Sequence, residues 1–221
     1  MAHSFKGELF GPAQALHGIT YVVDAVIKGP KLLPGANYLV DICVAERALH
    51  AALARYDLTN LDDLDEFAGD NTTCERVARA VWEQVAAALP GPPELDALQI
   101  IVKESDVAHI EYERLLGPGS APAAFYTVSV RSRFMAARSL ASAGAAARGP
   151  LHGATFVVDA LFSGHELDER ATILFDICLG AELLQAAVAP LHQSNLDGNA
   201  ALGGRRNPTA NAIAEALWES V

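Results

Sequence analysis

The chain has 221 residues, 51% of them hydrophobic, so it is long enough to bury one large core or two small ones. Its net charge of −11 at pH 7, with no basic stripe, argues against a nucleic-acid partner. The three cysteines are unpatterned, and the sequence shows neither a secretory signal nor an apolar run as long as a membrane span. We therefore expect a soluble cytoplasmic protein that binds neither nucleic acid nor membrane.

The first predicted strand occurs twice. "LHGITYVVDA" returns as "LHGATFVVDA", so that His17 and His152 lie 135 residues apart (152 − 17). The β-branched and aromatic residues that follow each His-Gly pair are typical of a strand. At the same offset "VDIC" is matched by "FDIC" and "NLDD" by "NLDG". One inserted residue later, "NTTCERVARAVWEQV" meets "NPTANAIAEALWESV", with Trp82 opposite Trp218. This ordered similarity indicates an internal repeat.

Two helices follow the strand in each copy. Asp41 is predicted to cap the first, whose apolar residues recur every three or four positions. Thr72 and Glu75 have the spacing of a capping box and predict the start of the second helix there. In the second copy we expect Pro208 at the first helical position, where its missing N–H group has no cost.

Further strands follow the helices of the first copy. "LDALQIIVKE" and "HIEYERLL" predict two strands around a turn, and the alternation in "FYTVSVRSRF" predicts the strand that opens the second copy. The Gly/Pro/Ala/Ser stretch 117–124 is the predicted boundary. We therefore expect two units, 1–117 and 125–221. The second lacks its final two strands, either because the sequence is truncated or because its sheet is completed in some other way.

These motifs, in this order, resemble the 6-pyruvoyl-tetrahydropterin synthase family, which includes 6-carboxy-tetrahydropterin synthase. The resemblance covers the first copy and as much of the second as exists. It implies an α+β tunnelling fold, with an antiparallel sheet and two helices per unit, tandemly repeated. It also implies that units assemble around a barrel and bind pterin-like ligands between them. We accordingly expect a homo-oligomer, alone or together with a paralogue.

The resemblance also implies a zinc site made of three histidines, one from a segment of the type "FSAAH" and two from "HGH". The segments "FGPAQ" and "FMAAR" would supply the first ligand of each copy. Four of the six expected positions then hold another residue: Gln14, Ile19, Arg138 and Ala154. Each copy keeps one ligand, His17 in the first and His152 in the second. A single imidazole does not bind zinc with useful affinity. We expect both histidines to be vestigial and no zinc cofactor to be present.

The remaining family residues are only partly retained. The nucleophilic cysteine, expected in the loop before "HGH", is missing from both copies, and we expect that loop to be very short in the first. The Asp-His pair before "NL" reads Asp57-Leu58 and His192-Gln193, so no catalytic residue can be assigned. Glu104 in "VKES" matches the glutamate that holds the pterin ring. A carboxylate can accept two N–H bonds from a guanidine-like edge. The alternative is an exposed strand residue with no ligand.

Three functions are compatible with these residues. The first is an active lyase of the 6-pyruvoyl/6-carboxy-tetrahydropterin synthase class, which requires zinc. The second is a related protein that binds a pterin-like molecule, with the lyase chemistry altered or lost. The third is a non-catalytic structural partner in an assembly with an active paralogue. The missing ligands favour the second.

Overall fold

The computed structural model describes residues 1–89, 95–116, 124–141, 148–203 and 207–220. The chain forms two compact units, one of residues 1–129 with 161–175 and the other of residues 130–160 with 176–221. Two long strands contribute residues to both units. Apart from Ala124, the predicted boundary stretch lies outside the described residues, and the bounds 1–117 and 125–221 stay a prediction.

The strands of the first unit pair in antiparallel fashion. A short pair comprises β1 (Ala2–His3) and β2 (His17–Gly18). The main sheet contains β3 (Val22–Lys28), β4 (Ala97–Lys103) and β5 (Ala108–Leu115). In its register Val22 is opposite Lys103, and Ala97 is opposite Leu115. The predicted strands of the first copy are present.

The second copy opens with β6 (Phe125–Arg138) and β7 (His152–Gly164). Both are longer than the sequence pattern suggested. Within the second unit, β8 (Ser194–Asn195) pairs in parallel with the end of β6, where Ala136 is opposite Ser194.

Each copy has two α-helices, as predicted. They are α1 (Ile42–Ala54), α2 (Cys74–Ala88), α3 (Ile177–Val188) and α4 (Ala210–Trp218). Asp41 caps α1 by accepting a hydrogen bond from the Cys43 amide at 2.8 Å, and Asp176 caps α3 in the same way. None of the helices in the described ranges is long and apolar enough to cross a membrane.

The predicted starts of α2 and α4 are each displaced. Thr73, not Thr72, precedes α2, because the Thr72 hydroxyl donates instead to the Asp62 carboxylate at 3.0 Å. The prediction that Thr72 and Glu75 form a capping box is therefore wrong. Pro208 lies before the cap of α4, not inside the helix, because Thr209 accepts a bond from the Ala212 amide at 3.2 Å and so supplies the cap.

The core of the first unit lies between its two helices and its sheet. Trp82 of α2 donates its indole hydrogen to the Leu98 carbonyl of β4 at 2.8 Å, and its ring meets Tyr112 of β5 edge-on. Other fully buried members of the core are Tyr56, Leu61, Val81, Val85 and Ile100. Antiparallel strands packed on two helices in the first unit, with two further helices in the second copy, confirm the predicted α+β fold class.

Candidate functional site

The centre of the candidate site is a pair of histidines at the start of the first unit. His3 of β1 and His17 of β2 are directly opposite in register, and their ring centroids lie 4.6 Å apart. Phe5 packs against both rings and Tyr21 lies near His3, so the pair is set in an aromatic cluster. The strand pairing thus brings together two imidazoles that are far apart in sequence.

Both rings are oriented by backbone carbonyl groups. His3 Nδ1 lies 3.0 Å from the Thr72 carbonyl oxygen, and His17 Nδ1 lies 2.9 Å from that of Ala15. A carbonyl oxygen can only accept, so Nδ1 carries the hydrogen in each ring and Nε2 carries the lone pair. Burial lowers the pKa of His3, which keeps its ring neutral. The buried His3 Nε2 has no hydrogen-bond partner among the described residues.

This histidine pair lacks a third metal ligand. Ile19 follows His17 by two residues, the spacing that puts two side chains on one face of an extended chain, and its hydrocarbon side chain cannot coordinate a metal. In the part of the chain that the structure describes, no three His, Cys, Asp or Glu residues form a metal-binding group. The residues present therefore do not fit the three-histidine zinc centre that the fold family implies.

The expectation that Gln14 stands in the place of the other histidine is wrong. His3 occupies that place beside His17, whereas Gln14 is exposed and donates to the Gly11 carbonyl. The loop between β1 and β2 is also not very short, since it spans residues 4–16 and contains a 3₁₀ segment, Glu8–Gln14. Residues 4–16 include no cysteine.

A signal for His3 was present in the sequence. The segment "FMAAR" places Arg138 at the first ligand position of the second copy, and the 135-residue repeat offset carries that position back to residue 3. The segment "FGPAQ" predicts Gln14 at this position instead. By this offset, the first copy has histidines at two of the three positions that the resemblance implies, and the second has only His152.

Glu104 lies at the end of β4, in the turn towards β5, and its residue surface is exposed. Neighbouring protein atoms nonetheless partly desolvate its carboxyl group, which raises its pKa, while the electrostatic interaction with His17 acts in the opposite direction. Glu104, the predicted ligand anchor, and His17, the predicted vestigial ligand, are thus close enough to interact electrostatically.

Cys74 and Tyr21 adjoin the same site. The Cys74 thiol, at the first position of α2, lies 3.3 Å from the Tyr21 hydroxyl oxygen. Burial, with the negative charge of Glu104 as a further cause, raises the pKa of Cys74 well above its ordinary range. The thiol is therefore protonated at neutral pH and is not an activated nucleophile.

The corresponding place in the second copy has a different chemistry. The Arg138 guanidinium lies over the Phe156 ring, 4.9 Å from its centroid, and donates to the Pro208 carbonyl at 2.6 Å. A guanidinium cannot ligate a metal, and its charge repels a cation. His152 is exposed, with its Nδ1 3.4 Å from the Pro150 carbonyl. A nearby cavity of about 620 Å³ is lined by segments 135–137, 153–155 and 193–195.

The residues in place of the family's Asp-His pair make structural contacts. His192 Nδ1 accepts a hydrogen bond from the Met135 amide at 3.3 Å, which ties the helical segment to β6. Leu58 and Gln193, at equivalent positions, both have positive φ, 54° and 52°. These two residues form matching tight turns.

The comparisons with known proteins agree with this geometry. The family described as "6-pyruvoyl tetrahydropterin synthase" matches residues 1–115 and again residues 127–221. A 6-carboxy-5,6,7,8-tetrahydropterin synthase of Bacillus subtilis (strain 168) is 29% identical over 118 residues, which cover 50% of this chain and 77% of that protein. The two separate matches confirm the tandem arrangement, and the chain belongs to the 6-pyruvoyl tetrahydropterin synthase family.

Proposed function

We propose that the first copy binds a pterin-like small molecule beside Glu104, and that the zinc-dependent lyase chemistry of the family is altered or lost. Family membership and the similarity to a 6-carboxy-tetrahydropterin synthase support the ligand class. The same site, if it remained active, would be a lyase site of that class.

The state of Glu104 is the observation that carries the proposal. Its carboxylate is accessible to a ligand, yet it is partly desolvated and close enough to His17 to be affected by its charge. Two acceptor oxygens in such a setting match the paired N–H groups on the guanidine-like edge of a pterin. Partial desolvation strengthens those hydrogen bonds, because water competes less for the carboxylate.

The loss of chemistry follows from the same residues. His3 and His17 have no third histidine beside them, because Ile19 takes its place. The loop 4–16 offers no cysteine nucleophile, and the nearby Cys74 thiol is held in its protonated form. A site with these groups can bind a pterin ring, but it lacks the metal set and the nucleophile that the family's reaction uses.

The second candidate is a structural role beside an active paralogue. Arg138 and Ala154 in the second copy favour it, because that copy has no counterpart of the histidine pair. In this alternative the tandem chain contributes units to an assembly whose chemistry is performed elsewhere.

A binding titration with neopterin, biopterin and guanine tests the proposal. We expect the wild-type chain to bind at least one of them. Glu104→Ala should weaken binding on the order of a hundredfold, since each charge-assisted hydrogen bond contributes roughly 1.5–3 kcal/mol. Glu104→Gln should be nearly as harmful, because its amide nitrogen presents a donor to the donors of the ligand.

Glu46→Ala is the matched control, since Glu46 is an exposed carboxylate on α1 that should not affect binding. If none of the three ligands binds the wild type, the proposed function is refuted and the structural role is favoured. Equal binding by the wild type and Glu104→Ala would show that the ligand lies elsewhere.

A further inference from the structure

A loop of the second copy lies against the start of α2 within the first unit. Asn71 donates from Nδ2 towards the carbonyl oxygens of Arg170 and Ala171, at 3.4 and 3.3 Å. Thr73 donates to the Thr172 carbonyl at 2.9 Å. Two further bonds complete the contact, from the Thr172 hydroxyl to the Asn71 carbonyl at 3.3 Å and from the Leu174 amide to the Glu75 carboxylate at 3.1 Å. Loop 168–174 and positions 71, 73 and 75 therefore form a complementary docking pair.

The repeat supplies a second loop of the same shape. Leu33 donates its amide hydrogen to the Tyr38 carbonyl at 2.8 Å, and Asp168 does the same to Ile173 at 2.8 Å. Asn37 and Thr172, at equivalent positions, share a left-handed backbone with φ of 58°. Loop 33–39 of the first copy thus already has the conformation in which its counterpart docks.

The repeat also supplies a second docking surface, at the start of α4. Asn71 holds the Lys6 backbone by accepting from its amide at 2.6 Å and donating to its carbonyl at 3.1 Å. Asn207 holds the Ala141 backbone with the same two bonds, at 3.0 and 3.1 Å. Thr209 and Asn211 are then the residues at the repeat positions of Thr73 and Glu75.

The two pairs differ in burial. Asn71, Thr73 and Glu75 are only 3–4% exposed under loop 168–174. At the equivalent positions Asn207 and Thr209 are half-buried and Asn211 is exposed. Residues 34–38 are exposed as well, and Tyr38 has 45% of its surface open to solvent. Loop 33–39 and the start of α4 are therefore matching halves of a contact, each accessible in the chain.

We propose that loop 33–39 of one chain docks on the start of α4 of a second copy. The contact between loop 168–174 and the start of α2 predicts the hydrogen bonds between the two chains. Asn207 Nδ2 donates to the carbonyls of Gly35 and Ala36, and the Thr209 hydroxyl donates to that of Asn37. The Leu39 amide donates to Asn211 Oδ1. Thr209 can do this while capping α4, because capping uses only its lone pair.

The chemistry of the open surface suits a contact between chains. Where Glu75 buries a carboxylate, the second copy has the neutral amide of Asn211, so docking buries no charge at that position. The two surfaces differ from each other, so the contact is head-to-tail and closes when the last chain of a ring meets the first. The inference does not depend on ligand binding at Glu104.

Sedimentation velocity of the full chain at micromolar concentration, with interface variants, tests the proposal. Ala36→Arg places a long cation on the docking loop, and Thr209→Arg places one on the docking surface. We expect the wild type to be oligomeric and each variant alone to sediment as a monomer. Ala214→Arg, at an exposed position farther along α4, is the control and should stay oligomeric. Circular dichroism shows that each variant is folded.

Mixing the two variants provides the decisive measurement. The Ala36→Arg chain keeps an intact α4 and the Thr209→Arg chain keeps an intact loop, so the mixture should form a heterodimer through one restored contact. Native mass spectrometry detects it if one chain carries a mass tag. A monomeric wild type, oligomeric single variants, or folded variants that fail to associate on mixing would each overturn the proposal.

Discussion

His3 and His17 oppose each other across β1 and β2, with their ring centroids 4.6 Å apart. Each ring donates its Nδ1 hydrogen to a backbone carbonyl, from Thr72 and Ala15 respectively. Both rings therefore carry the lone pair on Nε2, the form in which an imidazole ligates a metal, with the carbonyl fixing its orientation. Two such ligands fall one short of the three that catalytic zinc sites use.

The purified wild-type chain should therefore carry well under one zinc per chain. Ile19→His adds an imidazole two residues after His17, on the same face of the extended segment, and should bring the content to about one zinc per chain. Elemental analysis after dialysis against a weak chelator measures both. Ala154→His is the matched control, and it should not gain zinc because Arg138 occupies the ligand position of that copy. Stoichiometric zinc in the wild type would contradict the prediction.

Acid should weaken ligand binding through Glu104. Partial burial raises the pKa of its carboxyl group, with His17 acting in the opposite direction. A protonated carboxyl group loses an acceptor for the ligand's N–H groups. Binding should weaken as pH falls through that raised pKa, before an ordinary glutamate is protonated. Dissociation constants for neopterin from about pH 4 to about pH 8 measure the effect. The prediction is contradicted if the dissociation constant of the wild type depends on pH as little as that of Glu104→Gln.

Local features of this fold could be predicted from the sequence because their causes lie close together in the chain. Asp41 caps α1 through a bond to an amide two residues away, and Asp176 does the same for α3. The repeat itself predicted the matching strands and helices. The boundary of α2 was missed because the Thr72 hydroxyl bonds to Asp62, ten residues away, and this contact depends on the fold.

The candidate site was harder to predict. His3 and His17 meet through strand pairing, whereas the segment "FGPAQ", which is closer to His17 in the sequence, points to Gln14. The bond from Thr73 to Thr172 joins residues 99 positions apart. No motif in the sequence marks either threonine, so only the folded chain shows that they are hydrogen-bonded.

Trp82 and Trp218 occupy equivalent positions but should contribute very differently to stability. Trp82 is 7% exposed and donates to the Leu98 carbonyl, whereas Trp218 is 82% exposed. Trp82→Ala should reduce the free energy of unfolding by about 3–5 kcal/mol. Trp218→Ala, the matched control, should change it by no more than about 0.5 kcal/mol. Urea denaturation followed by circular dichroism measures both, and similar losses would contradict the prediction.

Glu75 should make stability depend on pH. It lies buried in the first turn of α2, and desolvation raises its pKa above the ordinary range, partly opposed by the bond from the Leu174 amide. Between the ordinary and the raised pKa, the folded chain binds more protons at this site than the unfolded chain. Its contribution to stability is therefore greatest below that interval and is lost as pH rises through it.

Glu75→Gln removes this titration and keeps a carbonyl oxygen for the Leu174 amide. Its pH dependence should be flatter, and relative to wild type it should gain stability as pH rises through the interval. Glu75→Ala leaves that amide without its acceptor and should cost about 1–3 kcal/mol. Glu83→Gln, on the exposed face of the same helix, is the control and should retain the wild-type slope. Urea unfolding at a series of pH values measures all four chains. An unchanged slope in Glu75→Gln would contradict the prediction that burial raises the pKa of this carboxyl group.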